Sequence, residues 1–542
     1  MVKWTVRKRG ALAWLIMALS LYALNPYWYG DAVWYATDLR ASELIRQPDP
    51  GHLAWRGLGW LVWNLLSRIY PDVDALQAFQ ILSALGGALA ALVTYHLALR
   101  FSLSKDQACA SALLLFSSHF MLAYGGSGSA YPAAVALALA SFLPILQQDG
   151  EWRIRHGVLS IILFLGGWGC WGISILLFPA LLVCAFVSAC GSAGVRLMRS
   201  SLLGSALLAL IGGVLLVTYL TGVERDLSFS AWLSSGAHGI APNLSLIGVA
   251  RALLGSIIAF LFLGDMGITV KALLLGGAAE ANISSSIPAL TFLICFVALV
   301  ILSLRRVAQC IGTNPQVFFL VIVAASAFLP VLLFAVLWQG SDVERFCLAL
   351  PLISILLGIM PQSGNSSTAG WRKRAALYAL PVFLLITNLL SNNIPALADR
   401  GGIVTSLGER ALTQLKPGDL LVLHGQDLGP RVWAPTIYFS DLKVHSVLYD
   451  FQTNGLAGWE ARLTEAIDLQ LCHGRNVAVL GDLLGQPTPG GIGLIQSENP
   501  RPSLEEIEQL LGQWNKGSSW SVEQYTFVAL LLPPETLRCR QG

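Results

Sequence analysis

The chain has 542 residues, of which 55% are hydrophobic and only 12% charged, with a formal net charge of +3. Soluble domains carry roughly 25% charged residues, so this composition excludes an ordinary soluble protein and points to one embedded in a membrane. No basic stretch is long enough, or sufficiently interleaved with aromatic residues, to serve a nucleic acid.

At the start, Lys3, Arg7, Lys8 and Arg9 precede the apolar run Ala11–Leu24, a pattern that signal peptides share with first membrane spans. No small-x-small cleavage site follows. Instead Asn25-Pro26-Tyr27-Trp28-Tyr29 forms an aromatic interfacial belt, which predicts an uncleaved span. A helix needs about 20 apolar residues to cross a bilayer, and fewer when snorkelling residues flank it. By that measure spans are expected at 11–24, 74–98, 107–123, 131–147, 157–171, 173–190, 201–221, 286–304, 316–337, 346–360 and 375–391. Gly166-Gly167-Trp168-Gly169-Cys170-Trp171-Gly172 reads either as one broken helix or as a tight outer hairpin. Segment 247–264 is also apolar, but as a span it would put Arg305 and Arg306 outside. A re-entrant or outer-surface helix is expected there.

Charge tests this layout. The expected cytoplasmic pieces hold 15 Lys and Arg in 60 residues, whereas the expected outer pieces hold 8 in 121. That positive-inside asymmetry puts the N-terminus in the cytoplasm, and an odd number of spans then sends the C-terminal region outside.

Beyond residue 391 the chain turns mixed in polarity, with no run long enough to span. Leu420–His424, Lys443–Leu448, Asn476–Leu480 and Phe527–Leu532 read as short buried strands. Residues 403–415, 459–470 and 503–515 read as amphipathic helices, the last opened by Ser503 as N-cap with Glu506 at the capping-box position. The fold expected is an all-α polytopic membrane domain of about eleven transmembrane helices over 1–391, followed by a small extracytoplasmic α/β domain over 392–542. Of the nine cysteines, seven lie in or beside apolar spans, and no metal-ligand spacing is present. Cys472 and Cys539 lie in the tail, where a disulfide and two separate thiols are both open readings.

The first outer loop, 25–73, gathers Asp31, Asp38, Arg40, Glu43, Arg46, Asp49, His52 and Arg56 among Trp28, Trp34, Trp55, Trp60 and Trp63. Residues 32–46 and 53–68 can form amphipathic helices with aromatic faces suited to the headgroup layer. Most of these charges fit a solvated loop. Asp31 differs: it follows Gly30 at the outer end of the first span, among aromatic neighbours, where a charge is costly and unnecessary for insertion.

The Gly30-Asp31 pair, the two loop helices and Pro48-Asp49-Pro50-Gly51-His52-Leu53 resemble the GT-C superfamily, polytopic glycosyltransferases that use polyprenyl-phosphate sugars. Within it, the likeness is to the protein O-mannosyltransferase-like branch. Ala32 follows Asp31, so the paired-acid version of the loop is not present. A second stretch, Trp338-Gln339-Gly340-Ser341-Asp342-Val343-Glu344-Arg345-Phe346, is similar to the late outer segment in which many such enzymes carry an Arg-Tyr or similar pair. The resemblance implies Asp31 as catalytic base and Arg345 at the donor phosphate, with His52 and Arg56 as further phosphate contacts. Asp49, His119, Tyr131 and Glu344 would line the pocket, although Glu344 or Asp342 could simply pair with Arg345.

The reaction implied by the resemblance is transfer of a sugar from a polyprenyl-phosphate donor to an acceptor hydroxyl on the extracytoplasmic face, with inversion at the sugar carbon. The acceptor is open between protein, lipid and polysaccharide. The sequence points to no certain cofactor; a divalent metal stays an open reading, although Asp31 and Asp49 alone do not define a site for it. A bacterial inner (plasma) membrane is the expected location. The competing readings are a lipid flippase or transporter, which calls for charges deep within the spans, and a non-catalytic membrane scaffold that displays the tail.

Overall fold

The structure is a computed structural model that describes residues 2–25, 30–40, 49–146, 154–189, 191–223, 228–235, 244–264, 283–337, 343–360, 370–399, 414–423, 442–447, 450, 458–485, 502–522 and 525–532. By their contacts the residues fall into two units. One comprises Met1–Tyr27, Asp38–Gly236 and Ile240–Leu397; the other comprises Trp28–Thr37, Ala237–Gly239 and Ala398–Gly542.

The first unit is helical. In chain order it contains α1 (Val2–Ala23), the end of α2 (Gly30–Arg40), α3 (Trp55–Ser67), α4 (Ala75–Arg100), α5 (Lys105–Phe116), α6 (His119–Tyr124), α7 (Tyr131–Ala140), α8 (Phe142–Ile145) and α9 (Ile154–Cys170). A 3-10 turn, Gly172–Leu177, leads into α10 (Phe178–Ser188). There follow α11 (Ala193–Gly222), α12 (Phe229–Ser235), α13 (Leu246–Ile258), α14 (Ile283–Ile311), α15 (Pro315–Leu337), α16 (Leu350–Leu357), α17 (Gly370–Asn388) and α18 (Ile394–Asp399). Helical residues occupy every segment expected to span.

Among the described residues five helices are long and apolar enough to cross a membrane: Ala75–Arg100, Ala193–Gly222, Ile287–Ile311, Pro315–Leu337 and Trp371–Asn393. Several of them carry large apolar side chains outward, such as Leu202, Leu216 and Leu220 on α11 and Ile287 and Ile294 on α14. Contiguous apolar surface of this kind is unfavourable in water and natural against lipid. The protein is an integral, multi-pass membrane protein. α13 has 13 residues, about 20 Å at 1.5 Å per residue, which is short of the ~30 Å hydrocarbon core.

Small residues set the packing around α7. A Cβ on Gly86 of α4 would lie 2.7 Å from the Cα and N of Ala133, and one on Gly167 of α9 would lie 2.7 Å from the N of Ala138. In lipid, where burying apolar surface gives no net gain, such close backbone approach is what holds helices together. α3 behaves as a surface helix: Trp55 is fully buried, while Trp60, Leu61 and Leu65 are exposed. α2 departs from the expectation of a headgroup helix with an open aromatic face, because Ala32, Val33, Tyr35 and Ala36 are all buried.

The second unit holds a five-stranded sheet of β1 (Leu420–Leu423), β2 (Lys443–Ser446), β3 (Val477–Leu480), β4 (Asn515–Val522) and β5 (Tyr525–Leu531), in the order β2-β1-β3-β5-β4. β1 runs parallel to β2 and β3, whereas β5 is antiparallel to β3 and β4. The period of two sends Leu420, Val422, Val477 and Val479 into one core with Trp459, Leu463, Ile467, Ile507 and Leu511. It sends Leu421, Leu423, Ala478 and Leu480 into a second core with Phe527. Buried Asp419 accepts from the backbone N–H groups of Lys416 and Asn476 at 2.7 and 3.0 Å, which locks the start of β1 to β3.

Helices α19 (Trp459–Cys472) and α20 (Leu504–Leu511) belong to this unit. Ser503 and Glu506 form the expected capping box. The helix expected over 503–515 ends at Leu511, and strand β4, which the sequence pattern does not announce, begins at Asn515. Its Asn-Lys-Gly-Ser-Ser run has little intrinsic preference for a strand, and pairing with β5 decides the matter. The helix expected over 403–415 falls mostly outside the described residues. Cys472 is disulfide-bonded; Cys539 lies outside the described residues.

Candidate active site

The residues singled out by sequence fall at the ends of helices in three local groups. The first is a seam between the outer loop and the break after α9. Asp49 Oδ1 accepts from Gly51 N at 2.7 Å, an Asx turn that aims the next residues at α9. Ala54 N then donates to Gly169 O at 2.7 Å, and Gly172 N donates to Gly51 O at 2.7 Å. Between these two bonds His52 Nδ1 meets the carbonyl oxygen of Cys170 at 2.9 Å.

A carbonyl only accepts, so Nδ1 carries the hydrogen, and in the neutral ring Nε2 holds the lone pair. The Gly166–Gly172 stretch contains the helix break that the first of the two expected readings calls for. Trp171 is extended there, and the freed backbone groups are taken up by the first loop.

Aromatic rings close around this seam. Tyr131 lies 6.2 Å from His52, 4.6 Å from Trp171 and 5.9 Å from Tyr124, centroid to centroid. Trp55 Nε1 donates to Gly128 O at 3.2 Å, in a turn where Gly128 has φ of 90°, a conformation natural only to glycine. His52 and Tyr131, far apart in sequence, are thus brought together. Arg56, next to Trp55, is half-buried on the first turn of α3.

The second group surrounds His119, and its key residues carry no motif by which the sequence alone singles them out. The N–H groups of His119 and Phe120 open α6 by donating to Phe260 O and Ala259 O, so the donors of one helix end satisfy the acceptors of another. Asn388 clamps this junction. Its Nδ2 donates to Ser117 O and Phe260 O, both at 2.8 Å, and its Oδ1 accepts from Phe262 N at 2.8 Å.

Immediately beyond, Leu389–Asn393 forms a π-helical turn. Its widened pitch brings two further asparagines onto the same side. Asn393 Nδ2 donates to Leu24 O at 2.8 Å and Leu122 O at 3.0 Å, and Asn392 Nδ2 lies 3.4 Å from His119 Nδ1. All three asparagines and His119 are buried. The signal available in sequence was Asn388 followed by Asn392-Asn393 at the end of an apolar span, where amides are expensive unless paired.

The third group is the adjacent pair Glu344 and Arg345, in a 3-10 turn (Val343–Phe346) after α15. Both are buried. Arg345 Nη2 lies 3.5 Å from Glu344 Oε1, and its guanidinium stands 5.8 Å from the centre of the Phe334 ring. The guanidinium charge is thus partly balanced by its own neighbour. Asp342 lies outside the described residues. Asp31 sits on the first turn of α2, and its side chain lies outside the described set. Among the described residues no three His, Cys, Asp or Glu side chains come together as a metal site.

No protein-family model matches the sequence, and no curated protein matches it. Solved structures do. ArnT from Cupriavidus metallidurans bound to undecaprenyl phosphate aligns over 98% of this chain and 98% of its own, with 11% identity and a TM-score of 0.57. The Archaeoglobus fulgidus oligosaccharyltransferase in complex with Zn and sulfate aligns over 96% of this chain and 74% of its own, with 11% identity and a TM-score of 0.48. The arabinofuranosyltransferase AftD from Mycobacteria aligns over 97% of this chain and 40% of its own, with 14% identity and a TM-score of 0.38. The ArnT superposition establishes the fold, which is that of ArnT.

Proposed function

We propose, from the GT-C fold and the position of the acidic first loop, that the chain is a membrane glycosyltransferase. It would move a sugar from a polyprenyl-phosphate donor to an acceptor hydroxyl on the extracytoplasmic face. One observation carries this reading: the alignment over 98% of both chains with a structure that holds undecaprenyl phosphate. The positive-inside charge pattern supports eleven spans, with residues 25–73 and 392–542 outside. A disulfide at Cys472 supports an oxidising compartment for the tail domain.

In this reading Asp31 is the base that takes the acceptor's proton, and displacement inverts the sugar carbon. The departing lipid phosphate is already a good leaving group, so the remaining task is to stabilise its charge by groups fixed in advance. Arg345, His52 and Arg56 are assigned that role. Glu344 tempers Arg345, and a histidine whose Nδ1 hydrogen is committed to Cys170 O can donate from Nε2 only as the imidazolium. Asp49, His119 and Tyr131 shape the pocket wall.

The test is to incubate purified protein with a panel of polyprenyl-phosphate sugars and follow release of lipid phosphate. Turnover by the wild-type chain, abolished in Asp31→Asn at unchanged folding and membrane insertion, is expected. Full activity in Asp31→Asn would remove the base, and no turnover with any donor would remove the reading itself.

A further inference from the structure

The first turns of α4 carry a buried amide that the protein itself leaves unused. Gln80 is 5% exposed, and its Nε2 has no hydrogen-bond partner among the described residues. A buried donor without an acceptor bears its full desolvation penalty, and such groups are rare in native structures. Gln80 shares a helix face with Ser83 and Gly87, three and seven residues on. Ser83 Oγ donates to Tyr124 O at 2.9 Å, and a Cβ on Gly87 would meet Leu21, Met121 and Gly125.

That face of α4 therefore looks toward the end of α1 and the turn that follows Tyr124. The carbonyl of Tyr124 is already shared, because Ser127 Oγ and Ser129 Oγ also donate to it, at 3.0 and 3.4 Å. Three hydroxyls converge on one oxygen with two lone pairs, which leaves that oxygen no room for an amide. On the adjoining face of α4, Phe79 packs on Trp55 at 5.9 Å, so the same end of the helix adjoins the first-loop seam.

We infer that Gln80 is a substrate-binding residue whose Nε2 donates to an oxygen of the lipid-linked donor. This rests on the glycosyl-transfer reading and adds to it a residue that neither the loop motifs nor the ion pair at Arg345 indicates. The chemistry required is an oxygen acceptor, which the donor carries both on its phosphate and on its sugar.

Gln80→Leu and Gln80→Met keep the approximate volume of the side chain and delete the amide. If the amide serves substrate, both variants melt at or above the wild-type temperature, because a buried unsatisfied group has been removed. Their affinity falls by roughly ten- to a hundred-fold, the effect of losing one hydrogen bond to a charged or strongly polar acceptor. Binding is measured with undecaprenyl phosphate and, separately, with a polyprenyl-phosphate sugar that the wild-type chain turns over. A loss with both ligands assigns the amide to the phosphate, and a loss with the sugar conjugate alone assigns it to the sugar. Unchanged affinity for both overturns the inference and leaves the enzyme reading intact. So does a fall in melting temperature in both variants, which would make the amide structural. A wild-type chain that binds neither ligand overturns the enzyme reading, and this inference with it.

Discussion

His52 Nδ1 and the carbonyl oxygen of Cys170 are 2.9 Å apart and 118 residues apart in sequence. This bond fastens the first outer loop to the helix break that would otherwise expose its backbone, and it fixes the histidine tautomer. His52→Leu should leave the Cys170 carbonyl unpaired and cost about 1–3 kcal/mol of stability, read by thermal denaturation in detergent. Nitrogen-15 spectra of histidine-labelled protein should show His52, identified by the signal lost in that variant, with a hydrogen on Nδ1. A ring protonated only at Nε2 would show that the seam is closed some other way.

Asn388 makes three bonds at 2.8 Å to backbone groups of two other segments. Asn388→Leu would leave Ser117 O, Phe260 O and Phe262 N without this partner in an apolar setting. The expected loss is about 3 kcal/mol or more. Asn64→Leu should cost much less, since Asn64 Nδ2 donates to Trp60 O at an exposed position on α3. Equal melting temperatures for the two variants would contradict the clamp.

Glu344 and Arg345 are buried together, so removing one takes away the other's opposite charge at 3.5 Å. Arg345→Met alone should destabilise by about 3–5 kcal/mol, while Arg345→Met combined with Glu344→Gln should recover most of that loss. The same series separates stability from function. If Arg345 contacts the donor phosphate, the double variant is folded but no longer binds undecaprenyl phosphate. Retained binding in the double variant would reduce Arg345 to a structural partner.

In the tail domain, burial pushes His445 below its ordinary value of 6.5; Asp450 opposes this and Arg462 adds to it. Asp450 is itself held by Arg462 at 2.9 Å. With the folded value depressed, the unfolded chain binds more protons, and stability rises with pH. The contribution is complete above about pH 6.5 and is lost as pH falls through the lower folded value. The protection of the Lys443–Ser446 amides, taken relative to their intrinsic exchange rates at each pH, should therefore fall as pH is lowered from about 7.5 to 5, and His445→Gln should flatten that dependence. Protection that rises as pH is lowered would reverse the sign and exclude the mechanism.

Local pattern was enough to place helices through the membrane unit, the starts of the three strands of the parallel region to within one residue, and the capping box at Ser503. These depend on local quantities: the length of an apolar run, the period of alternation, and one residue three positions from another. It also indicated the fold, because a Gly-Asp pair at the end of the first span and a basic residue at the end of a late one are placed by position along the chain.

Only the tertiary structure decided which groups face one another. The stitching of Gly51–Ala54 to Gly169–Gly172, the reach of Asn393 to Leu24, the pairing that makes a strand of Asn515–Val522 and the idle amide of Gln80 depend on which backbones approach. In this bilayer protein that approach is set by small residues such as Gly86 and Gly167. Their contribution is shape rather than polarity, so no pattern of hydrophobic and polar letters announces it.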